Sequence, residues 1–167
     1  FRSCDTYVSP DPSAEEVAET VQLAAASIRR FGVSPKVALL SHSNFGTTNF
    51  PSAVKMRDAL AILRRETPDL EVDGEMHADA ALYETIRAGV FPGGRLKGQA
   101  NLLVMPNLDT ANIAFNLLKV LGDGLPLGPL LIGQALPAHI LTPSVTARGI
   151  LNMTAVAAVD AQNRGDR

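Results

Sequence analysis

Residues 100–122 read Ala100-Asn101-Leu102-Leu103-Val104-Met105-Pro106-Asn107-Leu108-Asp109-Thr110-Ala111-Asn112-Ile113-Ala114-Phe115-Asn116-Leu117-Leu118-Lys119-Val120-Leu121-Gly122. The first part is a continuous apolar run of strand length, as expected of a strand covered on both faces. Pro106 ends it. Asp109 offers a side-chain oxygen to the unpaired N–H groups of a following helix. Ile113, Leu117 and Val120 or Leu121 recur at helical spacing, and Gly122 closes the segment. A buried strand thus hands over to a helix through a short polar turn. In α/β proteins such turns, at the carboxyl ends of strands, are where ligands sit.

The same alternation extends outward. Ser13-Ala14-Glu15-Glu16 has the form of a capping box. Val17, Val21, Ala24 or Ala25 and Ile28 follow at helical spacing, with Arg29 and Arg30 in the last turn and Gly32 beyond it. Residues 37–40 read as a buried strand, opening into the polar turn 41–49. Pro51 begins a helix whose Ala53, Met56, Leu60 and Leu63 share a face. Residues 70–76, with apolar Leu70 and Val72, read as an outer strand. Asp79 is placed to cap a short helix with Leu82 and Ile86 inward, ended by Gly89. Residues 122–124 form a turn. Residues 128–134 read as a further buried strand. Ser144 is placed to cap a last helix in which Ala147, Leu151, Ala155 and Ala158 share a face. Strands near 37, 70, 101 and 129 recur at roughly 30-residue intervals, the rhythm of βαβ units. Right-handed crossovers then place helices on both faces of a mostly parallel sheet.

The 167 residues, 46% hydrophobic and 19% charged, suit a single domain with a sizeable core. A net charge of −2 and 5% aromatic residues give no reason to expect nucleic acid or an anionic membrane as partner. No apolar run approaches the ~20 residues of a membrane span, and no signal peptide is visible. One cysteine, Cys4, excludes an internal disulfide and a cysteine-based zinc site, which fits a reducing cytoplasm. A start at Phe1 reads as a fragment of a longer polypeptide.

The polar side chains gather in the strand-end turns: residues 41–44, His77 and Asp79, Asn107 and Asp109, and residues 139–144. One reading is a single crevice lined by all four. The plainer reading makes Asp79, Asp109 and Ser144 helix caps and nothing more. His42, His77 and His139 each follow an expected strand, but no pair has the spacing of a zinc motif. Ser41 and Ser43 lack a nucleophile elbow, and the glycine-rich runs contain neither a phosphate loop nor a dinucleotide fingerprint. The residues alone give an α/β domain with a polar crevice.

Several motifs, in order, resemble the second half of phosphate acetyltransferases. They are Val37-Ala38-Leu39-Leu40-Ser41-His42-Ser43, Pro68-Asp69-Leu70-Glu71-Val72-Asp73-Gly74-Glu75-Met76, Asp79-Ala80-Ala81-Leu82, residues 100–108 with Asn112-Ile113, and Gly128-Pro129-Leu130-Leu131. The variants Ser43-Asn44-Phe45-Gly46 and Asp73-Gly74-Glu75-Met76-His77 resemble the C-terminal region of bacterial NADP-dependent malic enzymes. The resemblance runs from about Val8 to Gln162. It implies a fold like that of isocitrate and isopropylmalate dehydrogenases, with residues 1–167 forming the C-terminal half of an acetyltransferase-like region. It also implies an N-terminal malic enzyme domain in cis, carrying NADP and a divalent metal, homo-oligomers of two or more copies, and acetyl-CoA as an allosteric effector.

The departures favour a regulator over an enzyme. Active members of that family carry a Ser-Arg-Gly-Cys-Ser stretch before the last helix and an Asp at its start. Here Thr142 stands for the Ser, Pro143 for the Arg and Gly149 for the Asp. The resemblance therefore implies a catalytically silent domain with no catalytic residues of its own. Its effector-binding candidates are Ser43, Asn44, Asn107, Thr142, Ser144 and Arg148. Arg148 sits in the first turn of the last helix, where a cation is unfavourable unless an anion lies nearby. The alternatives are an active phosphate acetyltransferase domain and a purely structural dimerisation module.

Overall fold

The computed structural model describes residues 2–122, 128–141, 143 and 145–165, with side chains to residue 162. It contains β1 (Arg2–Ser3), α1 (Ala14–Arg30), β2 (Lys36–Leu40), α2 (Pro51–Glu66), β3 (Glu71–Met76), α3 (Ala78–Leu82), α4 (Glu84–Val90), β4 (Leu102–Val104), α5 (Leu108–Leu121) and α6 (Ala147–Gly165). The chain forms two compact units, Phe1–Asn116 and Leu117–Arg167, and each is described by itself.

In the first unit four strands form a parallel sheet in the order β1-β4-β2-β3. Val37 pairs with Leu102 on one side and Val72 on the other. The expected helices on a mostly parallel sheet are present. Alternation along the strands puts Ala38, Leu40, Leu103 and Met105 on one face, clustered with Ala80 and Ala81 of α3 and Ala111 of α5. α1 and α2 pack on each other and on the strands. Their buried residues are the ones that periodicity names: Val17, Val21, Ala25 and Ile28, and Ala53, Met56, Leu60 and Leu63. The Ser13–Glu16 capping box closes reciprocally, with Glu16 N–H donating to Ser13 Oγ and Ser13 N–H to Glu16 Oε2.

Four local expectations are corrected, and two helix stripes read from periodicity prove to be exposed. Residues 128–134 form no strand: they are at most half-buried, and the Leu131 N–H donates to His139 Nδ1 at 3.3 Å, not to a sheet neighbour. Asn107, not Asp109, caps α5, because its Oδ1 accepts the Thr110 N–H at 3.0 Å. Asp79 lies inside α3, whose N-cap is His77, and its Oδ1 reaches only the next amide, Ala80. Ile86 is 41% exposed, and the residue of α4 that turns inward is Arg87, whose guanidinium donates to the carbonyls of Ala80, Leu96 and Gly98. The apolar stripes of the last two helices lie open. Ile113, Leu117, Val120 and Leu121 are 55–81% exposed, and Leu151 of α6 is 68% exposed, while Met153 is the buried residue. Periodicity says which residues share a face, not whether anything covers it. The expected turn at residues 122–124 and the Ser144 cap fall largely or wholly outside the described residues.

Candidate functional site

Parallel strands carry the ends of β2, β3 and β4 to one edge of the sheet, where hydrogen bonds join the turns after β2 and β3. Turn 41–49 is built around a buried carboxylate. Glu75, near the end of β3, is fully buried. Its Oε1 accepts the Ser43 hydroxyl at 2.6 Å, the Gly46 N–H at 2.8 Å and the Arg57 guanidinium at 2.9 Å. Arg57 comes from the first half of α2 and also donates to the Thr48 carbonyl and to Asn49 Oδ1. The Asn44 side-chain oxygen accepts the His77 N–H at 2.7 Å, tying this turn to the one after β3. His77 Nε2 lies 2.8 Å from the His42 carbonyl, so that nitrogen carries the proton.

Two features of the turn oppose stability. Phe45 has φ +48°, a left-handed conformation that costs a non-glycine residue about 1–3 kcal/mol. Stacking on Phe91, with ring centroids 4.4 Å apart, holds it there. Glu75 Oε2 is buried and makes no hydrogen bond, a desolvation penalty of about 1–3 kcal/mol or more. Strain and an unpaired buried oxygen persist only where surrounding structure over-determines them, and they cluster at functional sites.

Burial pushes the Glu75 carboxyl up, but the hydrogen bonds from Ser43, Gly46 and Arg57 outweigh it and hold the group below its ordinary value. The ionised form is therefore favoured in the folded protein. Its stabilising contribution is complete above the unfolded value of 4.5 and is lost as pH falls through the lower folded value. Thermal melts between about pH 3 and about pH 7 should show a drop in melting temperature at the acid end that is smaller in Glu75→Gln. Equal acid sensitivity in the two proteins would assign the drop to other carboxylates.

The candidates from the sequence are distributed as follows. Ser43 is fully buried, its hydroxyl given to Glu75. Asn44 is half-buried with its oxygen engaged by His77. Asn107 is half-buried and caps α5. Asn44 and Asn107 thus follow adjacent strands, β2 and β4, at one sheet edge. Arg148 is an exposed residue of α6, in the second unit. Thr142 and Ser144 lie outside the described residues. Among the described residues no group of three or more His, Cys, Asp or Glu side chains comes together to hold a metal.

Glu75 and Arg57 are the residues that the sequence reading missed. Residues 70–76 read as an outer strand on apolar Leu70 and Val72, and no role attaches to the acids at 71, 73 and 75. β3 is indeed an edge strand, yet Asp73 and Glu75 are both fully buried. Each meets an arginine from α2, Arg64 at 3.0 Å and Arg57 at 2.9 Å. The signal was present: acids two apart on a strand, and arginines two helical turns apart on the preceding helix.

The chain matches the model of the phosphate acetyl/butaryl transferase family over residues 2–158. An NAD-dependent malic enzyme of Rhizobium meliloti (strain 1021) is 57% identical over 95% of this chain, which covers 21% of that protein. An NADP-dependent malic enzyme of Escherichia coli (strain K12) is 53% identical over 96% of this chain, again 21% of its own length. A solved phosphotransacetylase from Streptococcus pyogenes superposes with a TM-score of 0.92 at 33% identity, over 96% of this chain and 49% of that one. The chain thus spans about a fifth of the malic enzymes, and about half of the phosphotransacetylase, that it resembles.

Proposed function

This chain belongs to the phosphate acetyl/butaryl transferase family, and on that premise we propose that it is the catalytically silent, acetyl-CoA-binding regulatory domain of a malic enzyme. In this reading the parent protein decarboxylates malate oxidatively to pyruvate in the cytoplasm. NADP and a divalent metal sit in its separate N-terminal domain. Relatives named for NAD and for NADP match this chain alike, so assays with both coenzymes side by side identify the one used. No helix among the described residues is long and apolar enough to cross a membrane.

The observation that carries the reading is Pro143 and Gly149, uncharged where the resemblance implies an arginine and an aspartate. A fold that keeps a rigid polar turn but lacks a cation and a base at those positions is suited to holding an acyl-CoA without reacting it. Calorimetric titration of acetyl-CoA into the full-length protein tests this. Saturable heat, with a shift in the malate dependence of activity, is the expected result. Absence of binding would overturn it.

Arg148 is the cation proposed for the phosphates of the effector. Arg148→Ala should weaken acetyl-CoA by the loss of one charge-assisted contact, roughly 1.5–3 kcal/mol, or about 10- to 150-fold in Kd. An unchanged Kd would remove Arg148 from the site.

The exposed apolar residues of α5, Ile113, Leu117, Leu118, Val120 and Leu121, favour an added role in homo-oligomer assembly. Contiguous apolar surface of this kind marks interaction sites. A protein that stays monomeric at micromolar concentration in sedimentation would exclude this role.

A further inference from the structure

The amides of turn 43–48 all donate within the protein. Ser43 N–H goes to Ser41 Oγ, Asn44 N–H to Thr47 Oγ1, and Phe45 N–H to the Glu75 carbonyl. Gly46 N–H goes to Glu75 Oε1, Thr47 N–H to the Asn44 carbonyl, and Thr48 N–H to Ser43 Oγ. An anion-binding nest needs successive amides that point outward, and this turn has spent them on its own frame. What it presents at the strand-end edge is therefore side chains. The shape that presents them depends on one atom, Glu75 Oε1, which joins Ser43, Gly46 and Arg57.

We propose that Glu75, held by Arg57, is the positioning residue of the effector site. It fixes turn 43–48 so that the Asn44 side chain is locked against His77 and presented at the sheet edge. This rests on the reading that acetyl-CoA binds at this edge. Stability alone is a poor reason for the arrangement, because it leaves Glu75 Oε2 buried without a partner and holds Phe45 in a left-handed conformation. An apolar side chain at position 75 would avoid the unpaired oxygen, but it could not gather three donors at one point.

The test uses the full-length protein, with acetyl-CoA as probe. Glu75→Gln keeps the shape of the side chain and removes the charge. Amide exchange of residues 43–48 should accelerate roughly 100-fold or more, while α1 amides keep their protection. The acetyl-CoA Kd should rise roughly 10- to 100-fold, by analogy with residues that orient metal ligands through a hydrogen bond. Arg57→Met should behave similarly and Arg57→Lys, which keeps a donor and the charge, should recover most of the affinity. A lower melting temperature with an unchanged Kd, in folded Glu75→Gln, would reduce Glu75 to a stabilising residue and overturn the proposal. Where Glu75→Gln does not fold, Arg57→Met is read in its place by the same criteria. If the wild-type protein binds no acetyl-CoA, the effector reading falls, and the positioning role is decided by exchange alone. Unchanged exchange at residues 43–48 would then overturn it.

Discussion

Gly74→Ala is expected to unfold the protein or lower its melting temperature by about 10 °C or more. Gly74 pairs with Leu39 across the sheet. A Cβ at position 74 would lie 2.7 Å from both the Leu39 Cβ and the Leu39 carbonyl oxygen, with φ at +156°. Leu39 is fully buried between β3 and β4, so neither atom can move without moving the sheet. Overpacking a core typically costs about 1–3 kcal/mol, and more where backbone must shift. Such a loss is a large share of the roughly 5–15 kcal/mol that holds a domain together. Gly89→Ala is the control. Nothing lies within 4 Å of a Cβ there, and alanine suits α4 better than glycine by up to about 1 kcal/mol. A Gly74→Ala protein that melts with its parent would show that the two strands can separate locally at little cost.

The same close approach shows why the sequence told so much about the sheet and so little about the site. Residues 37–40 and 102–105 are apolar on both sides and were legible as buried strands, because burial on two faces leaves no polar position. The Ser13–Glu16 box and the apolar face of α2 were legible for similar local reasons. Glu75 was not. A carboxylate on a strand reads as a wet face, and what makes it buried is Arg57, eighteen residues earlier and on another element. Residues 128–134 failed in the opposite direction. An apolar run of strand length becomes a strand only beside another strand, and the pairing partner is not encoded in the run. Asn107 took the cap expected of Asp109 because its position just before Leu108 lets it reach the Thr110 N–H. Propensity names both residues, and geometry chooses one.

Acetyl transfer between acetyl phosphate and CoA should be absent from the purified full-length protein, at least about 10⁴-fold below an active relative. Two losses of transition-state stabilisation add in free energy. A preorganised charge lost from acyl transfer costs roughly 10²–10³ in rate, and a lost general base roughly 10²–10⁴. Pro143 offers no cation and no N–H. Gly149 offers no proton acceptor, and its own N–H donates to Thr146 Oγ1 at 3.1 Å within the first turn of α6. Restoring the pair should not be simple. A Cβ at position 149 would lie 2.8 Å from Val145 Cγ2 and 3.4 Å from Thr146 Oγ1. A carboxylate there must displace a branched side chain before it can approach a thiol. Pro143→Arg with Gly149→Asp is therefore expected to remain inactive, and the same pair with Val145→Ala to be the first variant in which transfer becomes measurable. Turnover by the unmodified protein in the ordinary enzyme range of about 1–10³ s⁻¹ would make it an acetyltransferase, and the regulatory reading would have to yield.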